Sequence, residues 1–343
     1  MMGREHKSLA AFYRPTKWED VCDQQSVIKI LTRQLETQQI LNAYMFIGAS
    51  GCGKTTLARI LANAINNGVG NPIEVDAASN NGVDNVKAII KSAQERAIDG
   101  KYKIYIIDEC HMITTQGWNA FLKCIEEPPA YTIFIFCTTD PQKVPATIMN
   151  RVQRFNITRI TIDNIKNRLS YICEQEGFTN YEESVDYLAK LSNGGMRDAI
   201  SYLEKCAGYS SDLCINNVLN ALGNYSYDLM FDLANSLIDG DESKVFHIIN
   251  SLYQQGNDLK LFVDMFLSFI MDVAKYAVFK NCDMIKIPSS MQEKLNHSIN
   301  FNDALKYYMY IANKLLDLKV ALKNESDIKT TVEIYMINIA RLQ

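Results

Sequence analysis

The stretch that decides the fold of this chain is Ala43-Tyr44-Met45-Phe46-Ile47-Gly48-Ala49-Ser50-Gly51-Cys52-Gly53-Lys54-Thr55. It begins with an apolar run typical of a buried strand, and its last eight residues match the phosphate-binding pattern G-x-x-x-x-G-K-[ST]. The glycines allow backbone N–H groups to turn inward around phosphates, and the helix predicted to follow directs its positive end toward them. Lys54 is placed to reach β- and γ-phosphate oxygens, and Thr55 to ligate Mg²⁺. The sequence therefore predicts an ATP-binding P-loop with contacts from Gly48, Ala49, Ser50, Gly51, Cys52, Gly53, Lys54, Thr55 and Thr56.

Short apolar runs alternate with helical patterns in the first half of the chain. The runs cover residues 43–47, 73–76, 104–107, 132–137 and 152–157. Between them, apolar residues recur at helical spacing, as at Leu57, Ile60, Leu61 and Ala64. Because the runs lack alternating polar residues, we expect parallel strands that are buried on both faces. The pattern predicts a doubly wound α/β domain with a parallel five-stranded sheet.

The composition is that of an ordered globular protein, with 48% apolar and 22% charged residues among 343. A net charge of −4 provides no overall field for nucleic acid, so any DNA contact must come from local groups. The nine cysteines include no C-x-x-C pair, and we expect reduced thiols in a cytoplasmic protein. No secretion signal opens the chain. The most apolar stretch, 259–276, is interrupted by Asp264, Ser268 and Asp272, so no membrane span is predicted.

The strand pattern ends near residue 158, and the rest of the chain is predicted to be helical. Amphipathic helices are expected over 162–176, 182–192 and 196–207. The length favours more than one core, and we divide the chain into an α/β domain (1–158), a small helical domain (159–208) and an all-helical domain (209–343). The helix predicted over 259–276 is apolar around most of its circumference, so either its own domain or a partner subunit buries it, and we favour its own domain.

Two carboxylates, Asp108 and Glu109, follow the apolar run 104–107. We expect this strand to lie beside the P-loop as a second nucleotide-binding strand, with the two carboxylates at its carboxyl end. Asp108 is then placed to hold Mg²⁺ through water, and Glu109 to accept a proton from the attacking water or to orient it. Two acids at the end of a strand are as often a solvated edge, but the upstream P-loop favours the catalytic interpretation.

Four further positions stay open on the residues alone. Asp76 follows the second strand and either acts as a switch or caps the helix predicted over 83–97. The hydroxyl of Thr139, after the fourth strand, either reaches a γ-phosphate or makes a turn. As isolated residues, Arg151 and Arg197 would be solvated surface charges.

A set of motifs occurs here in the order found in one family of replication ATPases. They are Tyr13-Arg14-Pro15, Glu19-Asp20-Val21, the P-loop, Asp76-Ala77-Ala78-Ser79-Asn80-Asn81-Gly82-Val83-Asp84, Ile107-Asp108-Glu109, Asn119-Ala120-Phe121-Leu122-Lys123 with Glu126-Glu127-Pro128-Pro129, and Thr138-Thr139-Asp140-Pro141-Gln142-Lys143. Through them the chain closely resembles the gamma/tau subunits of bacterial DNA polymerase III, of the AAA+ clamp-loader family. The resemblance runs from about residue 12 to 206 and is weaker beyond.

The resemblance implies an AAA+ ATPase domain, a helical lid and a collar through which related subunits assemble into a ring or spiral. ATP and Mg²⁺ then lie between subunits. Thr139 and Arg197 fall at the family's two sensor positions, which read the γ-phosphate. Arg151 falls at the arginine-finger position, from which it would stabilise charge on the ATP of a neighbouring subunit.

The chain departs from the family pattern at three places. Only residues 66–71 stand where the family inserts a four-cysteine zinc module, so no zinc is expected. The family's Ser-Arg-Cys is Asn150-Arg151-Val152 here, and its Val-Gly-Gln is Cys22-Asp23-Gln24. The sequence ends at Gln343 without a tau-type extension, so we expect the shorter, gamma-like form.

We expect a clamp-loader ATPase that opens a sliding clamp, places it on primer-template DNA and works in a homo- and hetero-oligomer, a pentamer. DNA phosphates would meet Asn80, Asn81 and Gly82, where free amides point outward at a helix start, with Lys87 and Lys91 as further candidates. The alternatives are another AAA+ DNA motor of the branch-migration type and a non-hydrolysing structural subunit. The intact P-loop and carboxylates argue against the structural subunit.

Overall fold

The computed structural model describes residues 7–282 and 285–341. Its strands are β1 (Ala43–Gly48), β2 (Ile73–Asp76), β3 (Lys103–Asp108), β4 (Thr132–Thr138) and β5 (Gln153–Ile157). Its α-helices are α1 (Leu9–Phe12), α2 (Gln25–Glu36), α3 (Lys54–Ile65), α4 (Val83–Ala93), α5 (Thr115–Glu126), α6 (Ala146–Met149), α7 (Ile162–Glu176), α8 (Glu182–Leu191), α9 (Met196–Tyr209), α10 (Ile215–Leu222), α11 (Tyr227–Ile238), α12 (Glu242–Gln254), α13 (Leu259–Phe279), α14 (Gln292–Ser298), α15 (Ala304–Ala321) and α16 (Ile328–Arg341).

The chain forms two compact units. The first comprises Met1–Ile172 and Ser192–Glu204, and the second comprises Cys173–Leu191 and Lys205–Gln343. The first unit contains all five strands, and the second is helical. The boundaries at 158 and 208, which divide ATPase, lid and collar, stay predictions.

The five strands form one parallel sheet in the order β2-β3-β4-β1-β5, which confirms the predicted α/β class. Strand β3 is not the direct neighbour of β1 in this sheet. Strand β4 pairs with both β1 and β3 and therefore lies between them. The carboxyl end of β4 therefore lies between the carboxyl ends of β1 and β3.

Two hydrophobic cores cover the two faces of the sheet. Alternate side chains of β3 and β4, such as Tyr105, Phe134 and Phe136, pack with Trp118 and Phe121 of α5 on one face. On the other face, the remaining side chains of the inner strands pack against α2 and α3. Because the inner strands are covered on both faces, they need no polar alternation, as the sequence indicated.

The edge strands differ from that expectation. In β2, Ile73 is about 40% exposed and Glu74 is also exposed, and in β5, Arg154 and Asn156 are exposed. Each edge strand has only one neighbouring strand, so its outer side chains reach solvent. The prediction of burial on both faces was therefore wrong for β2 and β5.

Helix α4 is shorter than its predicted range of 83–97, because it ends at Ala93. Two side chains from the sheet bind its last carbonyl groups. Lys103 Nζ donates to the carbonyl of Ser92 at 2.6 Å, and Thr132 Oγ1 donates to that of Ala93 at 2.7 Å. The carbonyls that would continue the helix are thus satisfied by tertiary contacts.

The second unit has a large core built around α13 and α15. The phenyl rings of Phe262, Phe266 and Phe269 on α13 are buried within this unit, which confirms that the apolar helix is a core helix. Leu261 and Val278 on its outer side are about half exposed. Among the described residues, no helix has the length and apolar character needed to cross a membrane. All nine cysteines are free thiols.

Candidate nucleotide-binding site

The P-loop joins β1 to α3 and has the open backbone that phosphate binding requires. Gly51 (φ +72°) and Gly53 (φ +103°) adopt the left-handed conformation, which glycine adopts without steric cost. A Cβ atom at Gly53 would meet nothing within 4 Å, so the loop is open on that side. Helix α3 begins at Lys54, and its first N–H groups have no partner within the helix. The loop and the helix start together form a site suited to an anion.

The ammonium group of Lys54 is buried at the P-loop, where the side chain is only 6% exposed. Its Nζ donates to the carbonyl of Gly48 at 3.0 Å and to that of Ala49 at 2.9 Å. A buried cation without partners would be costly, so these two carbonyls stabilise it. The structure therefore holds the lysine charge inside the loop that would receive the phosphates.

Two oxygen ligands of the kind that Mg²⁺ prefers lie side by side next to the P-loop. Thr55 Oγ1 donates to Asp108 Oδ2 at 2.8 Å. Within the described ranges, no group of three or more His, Cys, Asp or Glu side chains is placed to hold a metal ion. This fits Mg²⁺, which is commonly held by one or two protein oxygens together with water and substrate phosphates. The expected absence of zinc stays a prediction.

Glu109 is held in a strained conformation at the end of β3. Its φ of +46° lies in the left-handed region, which is uncommon for a residue other than glycine and often marks functional sites. Its Oε2 accepts a hydrogen bond from Thr139 Oγ1 at 2.9 Å and lies 3.2 Å from His111 Nδ1. His111 Nδ1 is also 3.2 Å from Thr138 Oγ1. The structure therefore brings Glu109 and Thr139 together and adds His111, which the sequence analysis did not select.

The start of α9 lies against the P-loop and brings Arg197 to the site. The backbone N–H of Arg197 donates to the carbonyl of Gly51 at 3.5 Å. The P-loop and the segment before α9 approach so closely that a Cβ atom on Gly51 would lie 3.2 Å from the Cα of Gly195. Arg197 lines the same cavity as Lys54 and Asp108. Its placement fits the predicted sensor position, and its role stays a prediction.

The cavity is completed by residues that the sequence analysis did not select as site residues. They include Tyr13, Arg14, Val21, Cys22, Ile160 and Ile200. Arg14 and Val21 occur in the motifs quoted for the family resemblance, which was a usable signal. No sequence pattern marked Ile160, which precedes α7, or Ile200, which lies within α9.

The electrostatics of this cavity favour an anionic ligand. Burial lowers the pKa of Arg14, and the nearby guanidinium groups of Arg59 and Arg197 lower it further. Burial raises the pKa of the Cys22 and Cys52 thiols, so these two side chains are neutral and add no negative charge. Positively charged side chains that repel one another in this way would be stabilised by a polyanion such as a triphosphate.

Arg151 is not among the residues that line this cavity. It follows α6, and its guanidinium pairs with Glu126 at the end of α5, with Nη2 2.6 Å from Oε1. Nη1 donates to the carbonyl of Thr147 at 2.7 Å. The described structure thus gives Arg151 partners within its own unit, and its role as an arginine finger stays a prediction.

Asp76 closes a turn and does not cap the helix that follows. Its Oδ1 accepts from the N–H of Ala78 at 2.9 Å and its Oδ2 from Ser79 Oγ at 3.0 Å. Helix α4 has Gly82 at its N-cap, without a side-chain cap. The alternative that Asp76 caps α4 was therefore wrong. The contacts of Asp76 are those of a local turn, and the switch role stays untested.

The DNA-contact candidates lie at the surface around the start of α4. Asn80 and Asn81 are partly exposed, and Gly82 is the N-cap residue of the helix. The side chains of Lys87 and Lys91 are exposed, and Lys87 lies 4.0 Å from the carboxylate of Asp84 in the first turn. These positions are accessible to a phosphate backbone, although Asp84 partly offsets the charge of Lys87.

Comparisons with known proteins show what the chain is similar to. A family model described as "DNA polymerase III clamp loader subunit, ATPase lid domain" matches residues 164–210, and one described as "DNA polymerase III, delta subunit" matches residues 71–161. DNA polymerase III subunit tau of Bacillus subtilis is 38% identical over 287 residues, which cover 77% of this chain and 51% of that protein. The chain is a homologue of the gamma/tau subunits of DNA polymerase III.

The gamma/tau subunit of Mycoplasma genitalium is similar in the same way, with 30% identity over 319 residues, 86% of this chain and 53% of that protein. The chain thus spans about half the length of the curated relatives it matches. Among solved structures, the RuvB Holliday junction branch migration motor of Thermotoga maritima matches with a TM-score of 0.52 and 18% identity, over 66% of this chain and 80% of that one. This likeness shows a shared AAA+ fold and nothing about substrate.

Proposed function

We propose that this chain binds and hydrolyses ATP as a subunit of a sliding-clamp loader. The observation that carries the proposal is the convergence of Lys54, Thr55, Asp108, Glu109 and Arg197 on one cavity. These residues come from the P-loop, from the end of β3 and from α9, so only the fold brings them together. Homology to gamma/tau subunits supports the clamp-loader assignment.

Each residue has a distinct part in the proposed reaction. Lys54 exchanges its carbonyl partners for β- and γ-phosphate oxygens, and Arg14 and Arg197 add positive charge beside them. Thr55, directly, and Asp108, through water, would hold Mg²⁺, which when bound would supply positive charge beside the phosphate oxygens. Glu109 accepts the proton of the attacking water, and the hydroxyl of Thr139 orients its carboxylate.

Hydrolysis is proposed to depend on assembly, since Arg151 lies outside the cavity of its own chain. Arg151 would act on the ATP of a neighbouring subunit in a pentamer of related chains. ATP binding would organise the assembly that opens the clamp, primer-template DNA would complete the catalytic geometry, and hydrolysis would release the closed clamp. The turn at Asn80 and Asn81, with the start of α4, would contact DNA phosphates without reading bases.

The organisation of the chain is proposed to be that of ATPase, lid and collar, with boundaries at 158 and 208. The free thiols of all nine cysteines are consistent with a cytoplasmic location. ATP and Mg²⁺ are the proposed cofactors, because the P-loop, Thr55 and Asp108 supply the groups that bind them.

The test is to measure ATP hydrolysis by the purified chain together with the subunits encoded beside it, with and without sliding clamp and primed DNA. We expect the clamp to co-elute when a non-hydrolysable ATP analogue is present, and hydrolysis to rise when clamp and DNA are both added. Lys54→Ala is the matched control. Clamp binding without any hydrolysis would indicate a structural subunit. Hydrolysis stimulated by branched DNA and not by a clamp would indicate a branch-migration motor.

A further inference from the structure

The contact between Arg151 and Glu126 involves a motif that the nucleotide cavity does not use. Glu126-Glu127-Pro128-Pro129 spans the end of α5 and contributes no residue to the cavity lining, and Glu126 is the last helical residue. A carboxylate in the last turn of a helix is unfavourable, because the carbonyl end of the helix dipole is negative. Pairing with the guanidinium of Arg151 offsets this cost. The ion pair with Arg151 therefore gives a structural reason for an acidic residue at position 126.

The guanidinium is held between two elements and keeps part of its hydrogen-bonding capacity. Glu126 belongs to α5 and Thr147 to α6, and these helices pack against each other. Glu126 binds Nη2 and the carbonyl of Thr147 binds Nη1. A guanidinium has five N–H donors, so several remain for a further acceptor. The side chain of Arg151 is 39% exposed, so a second molecule can reach it.

We propose that Glu126 is a positioning residue that holds Arg151 in the orientation from which it reaches the nucleotide of a second subunit. This inference rests on the proposed finger role of Arg151. A free arginine side chain loses conformational entropy when it is ordered at an interface. Glu126 and the Thr147 carbonyl restrict Arg151 before assembly, so less of that entropy remains to be lost in the transition state. The carboxylate thus acts on hydrolysis through Arg151 and touches no nucleotide.

Glu127 is a matched control within the same motif. It is the C-cap residue of α5 and is exposed, like Glu126. Among the described residues, its side chain makes no ion pair or hydrogen bond. Removing either carboxylate changes the charge of the chain equally, but only the loss of Glu126 frees the guanidinium of Arg151.

The experiment mixes two forms of the full chain. One carries Lys54→Ala and supplies a finger without a working P-loop, and the other carries Arg151→Ala and supplies a P-loop without a finger. Hydrolysis above the sum of the separate forms comes from interfaces that pair the intact finger with the intact P-loop. Glu126→Ala is then introduced into one form or the other, and Glu127→Ala is introduced in the same way.

In the finger-supplying form, Glu126→Ala is expected to lower kcat about three- to fivefold without changing the KM for ATP, the size of effect that a partly exposed ion pair sustains. In the other form, which has no finger to position, it is expected to leave kcat unchanged, as is Glu127→Ala in either form. The positioning role would be overturned if Glu126→Ala lowered kcat equally in both forms. It would also be overturned if Glu126→Ala in the finger-supplying form left kcat unchanged or raised it. An unmodified mixture with no excess hydrolysis would instead refute the trans finger itself.

Discussion

Replacing Glu109 with glutamine removes the proposed base while leaving its surroundings in place. Glutamine has the same shape, and its amide oxygen can accept the hydrogen bond that Thr139 Oγ1 now donates to Oε2 at 2.9 Å. The left-handed backbone of residue 109 strains glutamine and glutamate alike, so the substitution adds no conformational cost. We therefore expect a folded protein with a melting temperature close to that of the unsubstituted chain.

The magnitude follows from the division of roles between the residues of the site. A positioned general base contributes about 10²- to 10⁴-fold to a rate, so kcat for ATP hydrolysis is expected to fall by at least about 100-fold. The groups proposed to bind nucleotide, Lys54 and Thr55, do not contact the Glu109 side chain through any hydrogen bond between described residues. The Kd for ATP should therefore stay within about threefold, since no phosphate contact is lost.

The assay measures steady-state hydrolysis at saturating ATP, with clamp and primed DNA present, and nucleotide affinity separately. Glu127→Gln is the control, because it makes the same chemical change at an exposed carboxylate next to the α5 terminus. A kcat within tenfold of the unsubstituted chain would refute the assignment of Glu109 as the base. A large loss of nucleotide affinity would show that the carboxylate shapes the pocket and does not act mainly in the chemical step.

Three further outcomes test other parts of the site. Lys54→Ala should abolish hydrolysis and weaken ATP binding about 100-fold or more, since each hydrogen bond to a charged group contributes roughly 1.5–3 kcal/mol. Thermal stability without nucleotide should barely change, and turnover within about tenfold of the unsubstituted chain would contradict the assignment. Arg14→Ala should weaken ATP binding at least about tenfold for the same reason, whereas Arg33→Ala on the exposed side of α2 should have no effect, and equal affinities would exclude Arg14 from the phosphate site. Elemental analysis should find no stoichiometric zinc, and one zinc per chain that survives dialysis would show that dispersed cysteines converge on a metal.

The fold of the first unit was predictable because its signals are local. Each strand was located to within about two residues of its position in the structure, since a buried parallel strand is a short apolar run bounded by polar residues. Strand order was not predictable in this way. The pairing of β4 with both β1 and β3 depends on crossover connections, which leave no mark in the residues of the strands themselves.

The part of the candidate site formed by the P-loop and by the acids after β3 was also predictable from the sequence. The P-loop and the acids after β3 are contiguous motifs at strand ends, where parallel sheets bind ligands. His111 and Arg14 were missed for different reasons. His111 lies in the short 3-10 helix Cys110–Met112 that follows Glu109, and Arg14 lines the cavity from a segment before the first strand. Neither contact follows from a helical or strand period.

The position of Arg197 shows most clearly what residue spacing leaves out. Residues Ser192–Glu204 belong to the unit that contains the P-loop, although residues 173–191 before them do not. This return is possible because Gly195 lies against Gly51, and a Cβ atom on Gly195 would approach Asp198 Oδ2 to 2.8 Å. A Cβ atom at Gly51 would lie 3.2 Å from the Cα of Gly195, so a side chain there would crowd the start of α9. The placement of the arginine in the cavity therefore depends on a close backbone approach between two glycines about 140 residues apart, and only the folded structure reveals that approach.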